Sequence, residues 1–233
     1  AVDAQSHHAC AIDTDAVGWC WGFNDGGQIG DGASGGYADR TIPTMVSGGI
    51  RFSSIATGWG HTCGLEAGGR AWCWGTNTSG QLGDGSTVSR STPGLVADGR
   101  SFSALTSGGW SACGLDGSGT AWCWGDNFTG TVGDGSVGDK RTPTLVSGGK
   151  QFASLTAGHT HVCGLEVGTS KAWCWGDNGW SQLGDGTSTY RRVPVEVTGS
   201  RSFVALTAGG THTCGVDGQS RGWCWGFSGS GSV

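Results

Sequence analysis

The apolar positions of this chain fall into short runs separated by glycine-rich turns, and the same runs recur along its length. In the second copy, Phe52-Ser-Ser-Ile-Ala-Thr-Gly58 precedes His61-Thr-Cys-Gly-Leu65, which precedes Ala71-Trp-Cys-Trp74. Short runs joined by turns that contain glycine predict antiparallel β-hairpins. No stretch combines a 3.6-residue apolar period with a glycine-free length sufficient for a helix, so we expect almost no helix.

A fourth run completes each full copy and contains proline. It reads Thr92-Pro-Gly-Leu-Val96 in the second copy and recurs at 42–46, 142–146 and 193–197. Because proline cannot donate to a ladder, we expect this run at a sheet edge. Four strands that each reverse on the last predict a blade, and the repeat predicts an all-β propeller of about five four-stranded antiparallel blades. We expect one domain over residues 1–233, with repeats at 1–46, 47–96, 97–146, 147–197 and 198–233, the first and last being incomplete.

The tetrapeptide Trp-Cys-Trp-Gly predicts what the blades bury. Cys63 and Leu65 share one face of their strand, and Gly64 lies on the other face, where we expect Trp72 and Trp74 to fill the space. Ten tryptophans repeated in this way predict a core in which blade stacks on blade.

The ten cysteines come in pairs, two in each copy. Directly opposed residues on antiparallel neighbours lie about 5.5 Å apart at Cα, within disulfide range. We therefore predict five disulfides within blades, which favours an extracellular protein, secreted or on the cell surface. The predicted bonds join Cys10 to Cys20, Cys63 to Cys73, Cys113 to Cys123, Cys163 to Cys174 and Cys214 to Cys224.

Zinc is the alternative for the cysteines, because His61, Cys63 and Cys73 offer three ligands and similar trios occur at His8, His161 and His212. A structural zinc site needs a fourth ligand, and the third copy has Ser111 at the histidine position. We expect no metal and no cofactor, and we expect the histidines to form hydrogen bonds within their blades. The aspartates of the Gly-Asp-Gly turns are expected to hold those turns rather than calcium; they are Asp31, Asp84, Asp134 and Asp185.

Charge and motif content argue against several classes of function. The net charge is −5 and the 13 Lys and Arg residues are scattered singly, which argues against nucleic-acid binding. No apolar run is long enough to insert into a membrane. No nucleophile elbow or phosphate loop is present, so we do not expect an enzyme. Acids beside the hairpin turns are interpreted as solvated rim charges, and two asparagines in predicted surface loops fit the glycosylation pattern. These residues are Glu66, Asp116, Glu166 and Asp217, and Asn77 and Asn127.

The composite pattern Gly-x-x-His-Thr-Cys-Gly-Leu, Trp-Gly-x-Asn-x-x-Gly-Gln-Leu-Gly-Asp-Gly and Thr-Pro-x-x-Val, most complete over Gly58 to Val96, is similar to the regulator of chromosome condensation repeat. The resemblance implies a β-propeller and says little about chemistry, since that fold serves a nucleotide-exchange factor, a β-lactamase-inhibitor protein and secreted proteins. Relatives usually have seven blades, so either this ring is smaller, like tachylectin-type lectins, or the chain is part of something larger. The paired cysteines are foreign to the nuclear members, which argues against chromatin or a small GTPase as the partner.

Large aromatic residues break the repeat in the loops between strands one and two and between strands three and four, which emerge on the same face. Such residues are typical of an interface, although they would also serve to cap the core. We predict that this face binds a protein partner. A multivalent lectin is the first alternative, and self-assembly through the incomplete end blades is the second. The candidate residues are Trp59, Trp110, His159, Phe23, Phe128 and Trp180, and His7 and Phe227 occupy related loop positions.

Overall fold

Nineteen strands form five antiparallel sheets in the computed structural model, which describes residues 1–199 and 201–229. We call the sheets blades 1 to 5 in chain order. Blade 1 contains β1 Val2–Ala4, β2 His8–Ile12, β3 Gly18–Gly22 and β4 Arg40–Met45. Blade 2 contains β5 Phe52–Thr57, β6 His61–Glu66, β7 Ala71–Gly75 and β8 Arg90–Leu95. Blade 3 contains β9 Ala104–Ser107, β10 Ser111–Leu115, β11 Ala121–Gly125 and β12 Lys140–Leu145. Blade 4 contains β13 Phe152–Ala157, β14 His161–Glu166, β15 Ala172–Gly176 and β16 Arg191–Glu196. Blade 5 contains β17 Phe203–Ala208, β18 His212–Asp217 and β19 Gly222–Gly226.

Strand order within each blade follows the chain, and the strands that contain proline lie at sheet edges, as predicted. A 3₁₀ turn at Ala97–Gly99 lies between blades 2 and 3. The chain supplies blade 1 with a first strand, β1, which pairs with β2 through Val2 and Ala11. The fold class is therefore confirmed as all-β antiparallel blades; four have four strands and the fifth has three within the described residues.

All five predicted disulfides are present, and each joins directly opposed residues of the second and third strands of its blade. Cys63 pairs in register with Cys73, and their Cα atoms lie 4.1 Å apart. The other four bonds have the same Cα separation of 4.1 Å, and they join Cys10 to Cys20, Cys113 to Cys123, Cys163 to Cys174 and Cys214 to Cys224. The eight cysteines of blades 1 to 4 have no exposed surface. Every cysteine is therefore committed to a bond within its own blade.

The core consists of layers between successive blades. Trp74 and Phe52 of blade 2 pack against the Cys10–Cys20 disulfide of blade 1, with the two ring centroids 5.7 Å apart. The Trp74 indole also donates a 2.9 Å hydrogen bond to the carbonyl of Gln28 in blade 1. This contact recurs at each later junction, where Trp124, Trp175 and Trp225 donate to Gln81, Thr131 and Gln182.

One detail of the predicted core is wrong. The space above Gly64 is filled by Phe52 of the first strand, whose ring atoms would lie 2.5 Å from an added Cβ. The indoles were expected there, but in blades 2 to 4 only the second tryptophan of the Trp-Cys-Trp motif is fully buried: Trp74 has no exposed surface, whereas Trp72 is partly exposed. Glycine is required at position 64 because the Phe52 ring of the first strand occupies the space that a side chain would need.

The buried histidines form contacts between blades, which corrects the expectation of bonds within a blade. His8 of blade 1 lies 2.8 Å from the Thr62 hydroxyl of blade 2. His161 of blade 4 likewise lies 2.8 Å from the Thr213 hydroxyl of blade 5. His61 faces blade 3, where Ala112 replaces the threonine, and both of its side-chain nitrogens lack a side-chain partner. A strand pattern indicates which face a residue occupies but not which neighbour that face meets.

The last blade presents a different surface from the others. The apolar residues Leu65, Leu115 and Leu165 are buried, whereas their equivalent Val216 is 39% exposed. Cys224 is likewise exposed. A sheet face that is covered by the following blade elsewhere in the molecule is therefore open to solvent in blade 5.

Candidate functional site

The two kinds of loop on the predicted binding face are held together by the glycine that ends each Trp-Cys-Trp-Gly motif. Gly75 has φ of +104°, and a Cβ there would collide with the backbone of Gly60 and His61. This close approach allows the next amide, that of Thr76, to donate a 2.7 Å hydrogen bond to the Gly60 carbonyl. The same bond fixes Phe23 to the His7 carbonyl in blade 1 at 2.9 Å. Backbone geometry thus places the aromatic side chains of one loop beside those of the other.

Three of the predicted residues, Trp59, Trp110 and His159, form one cluster although they come from blades 2, 3 and 4. The Trp59 and Trp110 rings meet edge to face, with centroids 5.8 Å apart and planes at 81°. His159 packs against Trp59 at 4.5 Å. Burial lowers the pKa of His159, which favours the neutral form of its ring. The Trp59 ring thus contacts two other rings, those of Trp110 and His159.

A cavity of about 340 Å³ lies beside this cluster, and Phe23 forms part of its lining. We call it the aromatic pocket and define it by Phe23, Asp25, Trp59, Thr76 and Trp110. Ser6, His7 and Gln28 also border it. Its lining combines three large rings with a carboxylate and hydroxyl groups, which is a composition suited to binding an organic ligand.

Three of the predicted residues do not line this pocket: His159, which packs against Trp59, and two residues of other loops. Trp180 is 54% exposed and packs against Phe227 at 4.7 Å. Phe128 is 78% exposed and borders a separate cavity together with Tyr190 and Arg192. The six candidates therefore divide into a pocket cluster and two outlying positions. Asp25 and Thr76 were not among the candidates, and the only available signal was their position in the same loops.

The hairpin-turn acids are structural rather than free rim charges, which corrects the sequence-based interpretation. Glu66 accepts a 2.9 Å hydrogen bond from the Trp72 indole and pairs with Arg70. These hydrogen bonds lower the pKa of Glu66. Cations also cover the partly exposed indoles: the Lys150 ammonium lies 3.4 Å from the centre of the Trp173 ring.

The remaining motif residues hold loops. Asp84 accepts hydrogen bonds from the amide and hydroxyl of Ser86, as predicted for the Gly-Asp-Gly turns. Asn77 and Asn127 are fully buried, and the side-chain amide of Asn77 donates to the Val88 carbonyl. Their side chains are inaccessible to a glycosylating enzyme in the folded protein, although they were predicted at the surface. No helix in the described part of the chain has the length and apolarity to cross a membrane.

Four consecutive segments of the chain match the regulator of chromosome condensation (RCC1) repeat, at residues 19–65, 68–115, 118–165 and 170–216. The chain belongs to the RCC1 repeat family. The first RCC1 segment, 19–65, begins in the third strand of blade 1 and ends in the second strand of blade 2. The other three segments begin in the turn just before a third strand and also end in the second strand of the next blade. The family repeat therefore contains the junction between blades, where the tryptophan layers lie.

Known proteins show the same relationship. Over 88 residues the chain is 35% identical to the ultraviolet-B receptor UVR8 of Arabidopsis thaliana, which is 36% of this chain and 19% of that protein. Human WBSCR16 shares the fold with a TM-score of 0.83 at 20% identity, over 91% of this chain and 56% of that one. Prp20p of Saccharomyces cerevisiae has a TM-score of 0.80 at 19% identity, over 97% and 57%. The chain thus spans less than two thirds of the length of each of these RCC1-like proteins.

Proposed function

We propose that this chain is a non-enzymatic extracellular recognition module that binds one protein partner through the aromatic pocket. The observation that carries the proposal is the asymmetry of the loop face. The chain repeats its core faithfully, yet Trp59, Trp110 and His159 meet at a single place where Phe23 adds a further wall. A cluster of partly exposed rings around a cavity is typical of an interface hot spot.

Two further observations support this proposal. Five disulfides favour an oxidising compartment, and therefore a location outside the cell. The structural relative Prp20p has described binding properties toward Gsp1p and histones, so a protein partner is consistent with the fold. The disulfides favour an environment outside the cell for this chain, so we expect its protein partner to differ from Gsp1p and histones.

Photo-crosslinking tests the proposal. Ser6 lies exposed at the border of the pocket, and Val88 is 71% exposed in another loop. Ser6 is replaced by the photo-reactive residue benzoylphenylalanine, and the protein is irradiated in the extracellular fluid of the native cells. We expect one discrete protein adduct. The adduct should be lost in Trp110→Ala and retained in Trp180→Ala, and benzoylphenylalanine at Val88 should give none. Equal adducts from both positions, or none from Ser6, would contradict the proposal.

A lectin is the alternative that the pocket's hydroxyl and carboxylate groups support. It would bind several sugars per chain, whereas the protein-binding proposal gives one partner per chain. Titration calorimetry with the sugars selected on a glycan array separates the two by stoichiometry. Two or more equivalent sugar sites would favour the lectin.

Self-assembly is supported by the exposed face of blade 5, where Val216 and Cys224 lie open to solvent. A second copy of the chain would cover this apolar surface. Light scattering coupled to size-exclusion chromatography tests it, and a mass of 23.6 kDa at all concentrations would reject it.

A further inference from the structure

The aromatic pocket contains a carboxylate that has no cation beside it. Asp25 is exposed, and none of the ion pairs among the described residues includes it. The neighbouring acid Asp31 is different, because Arg40 binds it. Asp134 and Asp185 likewise pair with Lys140 and Arg191. The chain thus neutralises its turn-forming aspartates and leaves the one in the pocket available to a ligand.

The rings of the pocket add a second preference for positive charge. Aromatic faces carry negative electrostatic potential, and cations bind over them. Trp59 and Trp110 stand at 81° to each other, so they form two walls rather than one flat platform, and Phe23 adds a third. The molecule already uses this interaction elsewhere: the Arg100 guanidinium lies 3.4 Å from the centre of the Trp122 ring.

Two more acids belong to the loop that is bonded to Trp110. The Asp126 amide donates a 2.9 Å hydrogen bond to the Trp110 carbonyl, which fixes this loop beside the pocket. Burial, and next the charge of Asp139, raise the pKa of Asp126. The second of these causes reflects two carboxylates in the same loop, Asp126 and Asp139. A cation at this end of the face would relieve that repulsion.

We propose that the aromatic pocket receives the cationic side chain of an arginine or lysine residue of the protein partner, with Asp25 as its counter-ion. This assignment rests on the proposed function of the loop face in protein recognition. A neutral sugar fits the pocket less well, because it would leave the Asp25 charge uncompensated. Trp59 is also packed by both Trp110 and His159, which leaves less open ring face for stacking on a sugar.

Nuclear magnetic resonance of the indole N–H groups tests the assignment directly. The probes are the tripeptide N-acetyl-Gly-Arg-Gly-amide, its citrulline counterpart, which keeps the shape without the charge, and methyl glucoside. We expect the arginine peptide to shift the Trp59 and Trp110 signals saturably. In Asp25→Asn its dissociation constant should rise about fivefold, the effect of losing one exposed ion pair.

Asp15→Asn is the matched control, because Asp15 is an exposed acid at a hairpin turn outside the pocket. It removes the same charge and should leave the affinity unchanged. Citrulline binding as tight as arginine, or an unchanged affinity in Asp25→Asn, would overturn the assignment, and so would methyl glucoside shifting these indoles in place of the arginine peptide. If the arginine peptide fails while the Ser6 adduct forms, the cation assignment is wrong and protein recognition stands; absence of the adduct rejects the proposed function itself.

Discussion

Acid should destabilise this protein well above the pH at which carboxylates titrate, because three histidines are buried between blades. Burial lowers the pKa of His8 from 6.5 to about 4, and it lowers those of His61 and His161 to about 3. In the unfolded chain each ring binds a proton near pH 6.5. The fold therefore favours the neutral ring: the full stability is present above pH 6.5 and declines as the pH falls toward the folded values.

The size of the effect follows from linkage between protonation and folding. At pH 5 an unfolded histidine is almost wholly charged, whereas the buried one stays neutral. Each ring therefore lowers the free energy of unfolding at pH 5 by about 2 kcal/mol. The three rings together give about 6 kcal/mol between pH 8 and pH 5. This is a large part of the stability of a typical domain. The acids with lowered pKa values, such as Glu66, lose their contribution only at lower pH, so the two windows are separate.

Guanidinium denaturation followed by tryptophan fluorescence at pH 8 and pH 5, with disulfides intact, measures this difference. The third blade carries Ser111 where the others carry histidine, so His61→Ser is a substitution that the fold already accommodates. It should reduce the difference between the two pH values by about 2 kcal/mol, whatever it does to stability at either pH alone. His7→Ser, at an exposed position, should leave the difference unchanged. Equal stability at both pH values, or a His61 ring that titrates near pH 6.5, would refute the reasoning.

Two further predictions concern the contacts between blades. Ala112→Thr should stabilise the protein by about 1 kcal/mol, because it gives buried His61 the hydroxyl partner that Thr62 gives His8. Ala112→Val is the control of equal shape; an equal gain there, measured by denaturation, would show that packing rather than hydrogen bonding is responsible. Mild reduction of the native protein followed by alkylation and peptide mass spectrometry should label Cys214 and Cys224 before the other eight cysteines, which have no exposed surface. Labelling of all five pairs at one rate would contradict this account.

Much of the fold could be predicted because it depends on contacts that are local in sequence. The hairpin of β6 and β7 places Cys63 opposite Cys73, and ten residues of separation with a glycine turn are enough to fix that register. One extra residue in the turn of blade 4 leaves Cys163 opposite Cys174, because the turn absorbs it without shifting the ladder. Proline marks the edge strands because of its missing donor. The loop face was predicted in the same way, since strands that alternate in direction send alternate loops to the same side.

The candidate site could be predicted only in part. Sequence irregularity identified Trp59, Trp110 and His159, yet it also selected Phe128, which is exposed beside another cavity. Asp25 gave no signal beyond its position in the loop, because an aspartate in a polar loop resembles any other until its neighbours are known. The histidine contacts were missed for the same reason, since His8 meets a threonine 54 residues away.

The sequence by itself determined the strands, their order, the blade edges and the disulfide pairs, because each is set by residues within one copy of the repeat. Only the tertiary structure decided which side chains of different blades meet, and with them the aromatic pocket, the layers on which Trp74 packs and the exposed face of blade 5. The physical reason is that a two-residue period assigns a side chain to a face of its sheet. The angle and spacing between sheets arise from packing across the junction, and the alternation of residues along one strand carries no information about the neighbouring blade.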